Sequence, residues 1–156
     1  MSRQSCPQAA TQVGFTLVEL MITLVVATIL ISIAVPAYTT QMRKSRRTEA
    51  KTAVLDLATR EEQLFATTSN YSTDPTQLGY AAVGSGAMFP VSTGQYYVIS
   101  VQVPDPAQAA GIPSFIITAT PAAGSPQQQD LQCQSFSVNQ TGTQTATGTL
   151  GNACWP

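Results

Sequence analysis

The chain has 156 residues, enough for one domain with appendages. Only 10% are charged, low for an ordinary soluble protein, and the net charge of −1 says little by itself. The distribution says more: all seven Lys and Arg lie at or before Arg60, and there is no His. A stretch from Glu61 to Pro156 without a cation argues against nucleic-acid or phosphate binding there, because Lys and Arg contacts dominate such binding. The missing imidazole removes the commonest general base and the commonest metal ligand. Asp74, Asp105 and Asp130 are the acids after Glu62, too thin a set for calcium, which takes six to eight oxygens. No catalytic residue, metal site or cofactor is expected.

Residues 1–14 are polar, with one Arg and no apolar core. An ordinary secretory signal has its apolar segment before the cut. Here the apolar run comes after Gly14-Phe15-Thr16-Leu17-Val18-Glu19-Leu20 and lasts to Met42. That is long enough to cross a bilayer, which takes ~20 mostly apolar residues. Glu19 is the one charge in it. An acid at the centre of a spanning helix costs roughly 2.5–3.5 kcal/mol, and less near an end, so Glu19 needs a partner. If the chain is cut after Gly14, Phe15 acquires an ammonium group. Residues four apart on a helix can face one another, and the same two groups could pair between neighbouring chains. The alternative is an uncleaved membrane anchor with a disordered tail.

Residues 15–42 read as a helix apolar on all faces. Thr23, Thr28 and Ser32 are tolerable in lipid if their hydroxyls bond carbonyls of the preceding turn. Pro36 removes a backbone donor and should kink or loosen the helix around Ser32–Val35. Residues 43–67 read as the amphipathic half of the same helix. Ala50, Ala53, Val54, Leu57, Leu64 and Phe65 recur at three- and four-residue spacing, with Glu61 as one polar interruption. Arg43, Arg47 and Lys51 form a basic stripe at four-residue spacing. It reads as a solvated face, a contact to acidic residues of neighbouring subunits, or a DNA contact. Asp56 and Arg60 have the order that favours an i,i+4 pair. The helix should fade at Thr67-Thr68-Ser69-Asn70, a run of poor helix formers. A continuous helix of this length would extend roughly 78 Å.

Residues 68–156 read as a globular head. Asp74-Pro75 predicts a capped turn at Thr76–Leu78. Gly79, Gly84, Gly86 and Pro90 mark loop. Strands are expected at Gln95–Val103, Ser114–Thr120, Cys133–Asn139 and, more weakly, Thr143–Thr149, with loops at Pro104–Pro113 and Pro121–Gln129 and a turn at Gly142. The expected fold is α+β: an antiparallel meander of about four strands packed on the second half of the helix. Cys6 lies in the candidate leader. Cys133 and Cys154 form an even pair, which in an exported chain reads as a disulfide; two unpaired buried thiols are the alternative. Asn70-Tyr71-Ser72 and Asn139-Gln140-Thr141 match a glycosylation acceptor that is common by chance. Trp155 reads as a packing residue beside the cysteines, or as a recognition residue.

The pattern Gly-Phe-Thr-Leu-x-Glu before an apolar helix resembles the class III signal of type IV pilins. Arg43-Lys44-Ser45-Arg46-Arg47-Thr48-Glu49-Ala50-Lys51, Leu55-Asp56-Leu57-Ala58, Gln63-Leu64-Phe65, Asn70-Tyr71, Leu78-Gly79-Tyr80 and the closing Cys-Trp are similar to the PilE branch of minor pilins. The resemblance implies a pilin fold, cleavage between Gly14 and Phe15 by a prepilin peptidase, and N-methylation of Phe15. It further implies that Glu19 recruits or registers subunits. The expected partners are major and minor pilins, the peptidase and the inner-membrane assembly machinery. The expected place is the inner membrane, with a periplasmic head, and then the pilus used for twitching motility, adhesion or DNA uptake. The family often has Gly where this chain has Thr28. The positive-inside rule would put the basic cluster from Arg43 to Lys51 in the cytoplasm. The resemblance and the cysteine pair put it outside, and they prevail because the membrane only holds a pilin before assembly. Two rivals stand beside this reading: a pseudopilin of a type II secretion system, and a DNA-binding competence pilin.

Overall fold

The computed structural model describes residues 14–80, 96–104 and 111–155. The candidate leader before Gly14, the loop residues Gly84, Gly86 and Pro90, and the positions Gln95 and Asp105 lie outside the described residues. The chain divides into two compact units, residues 1–40 and residues 41–156. One helix, α1 (Leu17–Thr68), contributes to both.

In the first unit, Thr16 caps the helix. Its hydroxyl accepts the Glu19 N–H at 3.2 Å, and its carbonyl accepts the Leu20 N–H. The hydroxyls of Thr23, Thr28 and Ser32 each donate to the carbonyl three residues back, at 2.9, 2.8 and 2.7 Å, which satisfies them without water. Pro36 lies inside the helix without ending it, and its carbonyl accepts from the hydroxyls of both Thr39 and Thr40. The large apolar side chains of this unit stay uncovered, from Val26 at 49% exposure to Phe15 at 79%.

The second unit is the head. Four strands, β1 (Tyr97–Gln102), β2 (Ile116–Pro121), β3 (Ser135–Asn139) and β4 (Gln144–Thr147), form one antiparallel sheet in the order β1-β2-β3-β4. Side chains alternate between the two faces of a strand. Tyr97, Ile99, Val101, Ile117, Ala119, Phe136 and Val138 therefore turn inward and join Ala50, Val54 and Leu57 of α1 in one core. Burying a side chain the size of Leu57 or Ile117 stabilises by about 2 kcal/mol.

The strands start later than their sequence runs suggest. The run from Cys133 becomes strand only at Ser135, because Cys133 is buried in a disulfide with Cys154 (Cα–Cα 5.8 Å). The expected loop Pro121–Gln129 contains a 3-10 turn at Pro126–Gln129, opened by its proline. α1 ends where its poor helix formers gather, with Ser69 in the left-handed region (φ 57°) and its N–H on the Phe65 carbonyl. The Asp74 carboxylate accepts from the Thr76 N–H and hydroxyl, closing the expected turn. Asn139 Oδ1 accepts from Thr141 N–H, Thr141 Oγ and Thr143 N–H, so this acceptor motif serves as the bend of the β3–β4 hairpin.

Candidate functional site

The site residues fall into two groups. Gly14, Phe15 and Glu19 surround the start of α1. Gly14 and Phe15 precede the Thr16 cap, and Glu19 occupies the third helical position. Thr16-Leu17-Val18-Glu19 has the spacing of a capping box, and an acid in the first turn also suits the positive end of the helix dipole. Glu19 sits in that first turn. Among the described residues of the first unit it is the only acid, set beside exposed Leu17, Val18, Leu20 and Met21.

The basic group behaves differently from the expected solvated stripe. Arg47 turns into the head and holds Asp130 with two parallel bonds, 2.7 and 2.6 Å, with a third to Gln132 at 3.1 Å. The Asp130 side chain is 2% exposed and also accepts from Gln127 Nε2 at 2.7 Å. A bidentate pair of this kind is strong and fixes geometry. The hydrogen bonds that Arg47 donates to Asp130 outweigh burial and raise the Arg47 pKa above its ordinary value. Lys51 donates to the carbonyls of Cys154 and Trp155, each at 2.9 Å, and lies over the Phe136 ring. Burial, then nearby Arg47, pushes its pKa down. Arg47 and Lys51 are thus corrected from candidate outward contacts to internal fasteners of the head. Arg46, which the stripe omitted, stacks over Tyr96 at 4.0 Å. Arg43 is half-buried and Lys44 exposed, and they remain the outward cations of this cluster.

Glu61, the polar position within the apolar stripe, is buried with it, at 0% exposure. One carboxylate oxygen accepts the Ser72 N–H at 3.1 Å, while the other is buried without a partner. Its neighbours on the helix complete a strap over residues 71–80. Glu62 accepts from the Tyr71 hydroxyl, Asp56 from the Tyr80 hydroxyl, and Arg60 donates to Asp56 and to the Leu78 carbonyl. The i,i+4 pair Asp56–Arg60 is therefore part of a link between helix and loop.

A capped apolar helix that runs on into a head of helix-backed antiparallel sheet with a C-terminal disulfide is a pilin-like α+β architecture. Comparison with known families bears this out. The family described as "Type IV minor pilin ComP, DNA uptake sequence receptor" matches residues 36–137, well over half of the chain. The prokaryotic N-terminal methylation motif matches residues 12–35. The chain belongs to the ComP family of type IV minor pilins. It is also 37% identical over 68 residues to the type IV major pilin protein PilA of Myxococcus xanthus (strain DK1622). That match takes in 44% of this chain and 31% of the relative, so less than a third of PilA is spanned. These findings favour the pilus over the secretion-system rival. The family is structural rather than enzymatic, and its members associate with other pilins. The apolar helix is long enough to cross a membrane and fits an inner-membrane anchor before assembly.

Burial raises the Glu61 pKa above its ordinary 4.5; the Ser72 N–H opposes this, and Glu62 reinforces it. The folded state therefore holds the proton longer than the unfolded one. Stability is fully present below the unfolded value and is lost as pH rises through the folded value. Glu61→Gln should melt a few degrees above the natural protein at pH 7 and lose that advantage at pH 4. Melting curves of the two proteins across this range check it; parallel pH profiles would contradict it.

Proposed function

We propose that the chain is cut between Gly14 and Phe15 by a prepilin peptidase, methylated on Phe15, and held in the inner membrane with residues 43–156 in the periplasm. The inner-membrane assembly machinery then incorporates it beside major and minor pilins through residues 15–42. The observation that carries this reading is the uncovered apolar surface of α1 with a lone acid at its start. Apolar surface of this size stays out of water only in lipid or against other subunits. The new Phe15 ammonium is the counter-charge for Glu19. Phe15 lies outside the helix, just before its cap, so helical spacing alone does not bring the two groups together within one chain. Pairing between neighbouring subunits is the arrangement this favours. Pro36 adds a place where the helix bends during packing, since Ser32 lacks the usual donor four residues on.

A second reading is DNA uptake, favoured by the description of the matching family. The geometry narrows it. With Arg47 on Asp130 and Lys51 on the C-terminal carbonyls, a phosphate contact in the helix would fall to Arg43 and Lys44, with Arg46 beside Tyr96.

Glu19→Ala should still enter the membrane but appear in sheared filaments at a small fraction of the natural amount, measured by immunoblot against the major subunit. Normal incorporation would count against the charge pairing. For DNA, neutralising Arg43 and Lys44 together should weaken binding by full-length protein in detergent and reduce its salt slope by ~2 at most. Unchanged, salt-sensitive binding would place the DNA contact elsewhere.

A further inference from the structure

β4 is the outermost strand of the sheet, and outer strands are templates for pairing with other chains. Proteins usually blunt such an edge with lysine, proline or a bulge. β4 reads Gln-Thr-Ala-Thr, and no residue from Leu131 to Trp155 carries a charge. Its side chains are largely exposed. What covers the edge is the segment that follows. At Gly148 the chain turns back with φ +119°, a position where a Cβ would lie 2.4 Å from the Gln132 carbonyl oxygen, so only glycine fits. Thr149 and Leu150 N–H groups then bond the Leu131 and Gln132 carbonyls. Asn152 Oδ1 accepts the Ala146 N–H at 2.9 Å, and the Trp155 indole donates to the Thr145 carbonyl at 2.7 Å. The Ala146 N–H, which faces away from β3, is thus answered by the returning segment, while the Thr145 carbonyl lies on the β3 side of the same peptide, so the Trp155 indole anchors the segment to β4.

That segment is fastened at its far end. Cys154 is joined to Cys133 just ahead of β3, Lys51 of α1 bonds the carbonyls of Cys154 and Trp155, and Trp155 packs edge-on against Phe136. We propose that residues 148–155 are an edge guard locked by this disulfide, and that opening the lock exposes β4 to strand addition by a second copy of this chain. A dithiol opens it: the Cys133–Cys154 bond breaks, each sulfur takes one electron and one proton, and the dithiol leaves as its own disulfide. A second copy is the occupant because two β4 strands meet without like charges and have matching β-branched Thr side chains on both partners. The inference does not depend on how the N-terminal helix is processed.

The test uses the full chain in detergent micelles, oxidised or treated with dithiothreitol, read by amide hydrogen exchange and by native mass. In reduced, dilute protein, amides 144–147 should exchange at least about tenfold faster while amides 117–119 of β2 stay protected. At high concentration the β4 protection should return and a dimer should appear, and Thr145→Lys should abolish it by setting like charges across the new pairing. Unchanged β4 exchange after reduction would overturn the proposal. So would a dimer that survives Thr145→Lys. If reduction also unprotects β2, the oxidised double variant Asn152→Ala with Trp155→Ala decides: a concentration-dependent dimer through β4 supports the guard, and a monomer overturns it.

Discussion

Nothing within the described chain covers the apolar stretch that begins α1. The other features of the protein follow from that constraint. The hydroxyls of Thr23, Thr28 and Ser32 are satisfied within the helix, so these side chains call for no water. A helix of this kind is stable only where something else supplies an apolar surrounding, such as lipid or other protein. Membership of a pilin family fits such a surface, since the family points to association with other pilins.

The head solves a different problem with the same helix. It has few ionisable groups, and its cations lie on α1 because none follows Arg60. Those cations are used as fasteners. Arg47 reaches across to Asp130 in the loop between β2 and β3, and Lys51 holds the end of the chain. Arg60, Glu61 and Glu62 tie down the segment that leaves the helix. Breaking a buried charge pair by removing one partner costs about 3–5 kcal/mol, so these links also fix which face of α1 meets the sheet. The use of cations inside the head limits what remains for any anionic partner.

Much of this was legible in the sequence because it rests on periodicity and spacing. The helix and its two characters follow from its apolar run and its three- and four-residue spacing, the first three strands from runs rich in β-formers and the fourth only weakly, and the cysteine pair from count and context. The errors have physical causes. Four-residue spacing shows that Arg43, Arg47 and Lys51 share a helix face, but not that this face meets Asp130 and the C-terminal carbonyls, which are more than 80 residues away in the chain. Glu61 shares the spacing of the buried stripe, but spacing does not show how a carboxylate is accommodated there. It is tolerated there because the Ser72 N–H meets one oxygen and burial favours the protonated form. The capping role of Thr16 opposite Glu19 was present in the spacing Thr-x-x-Glu, yet the functional reading of Glu19 obscured it. Asn152 and Trp155 as partners of β4 had no sequence signal, since their roles depend on where the chain returns after Gly148.

The central claim is that the uncovered helix becomes an assembly surface once the polar residues before Phe15 are removed. Intact mass and N-terminal sequence of the protein recovered from sheared filaments test it most directly. The account predicts a chain that starts at Phe15 and carries one added methyl group. A chain that keeps Met1 and is found only in the cell envelope, never in filaments, would contradict it.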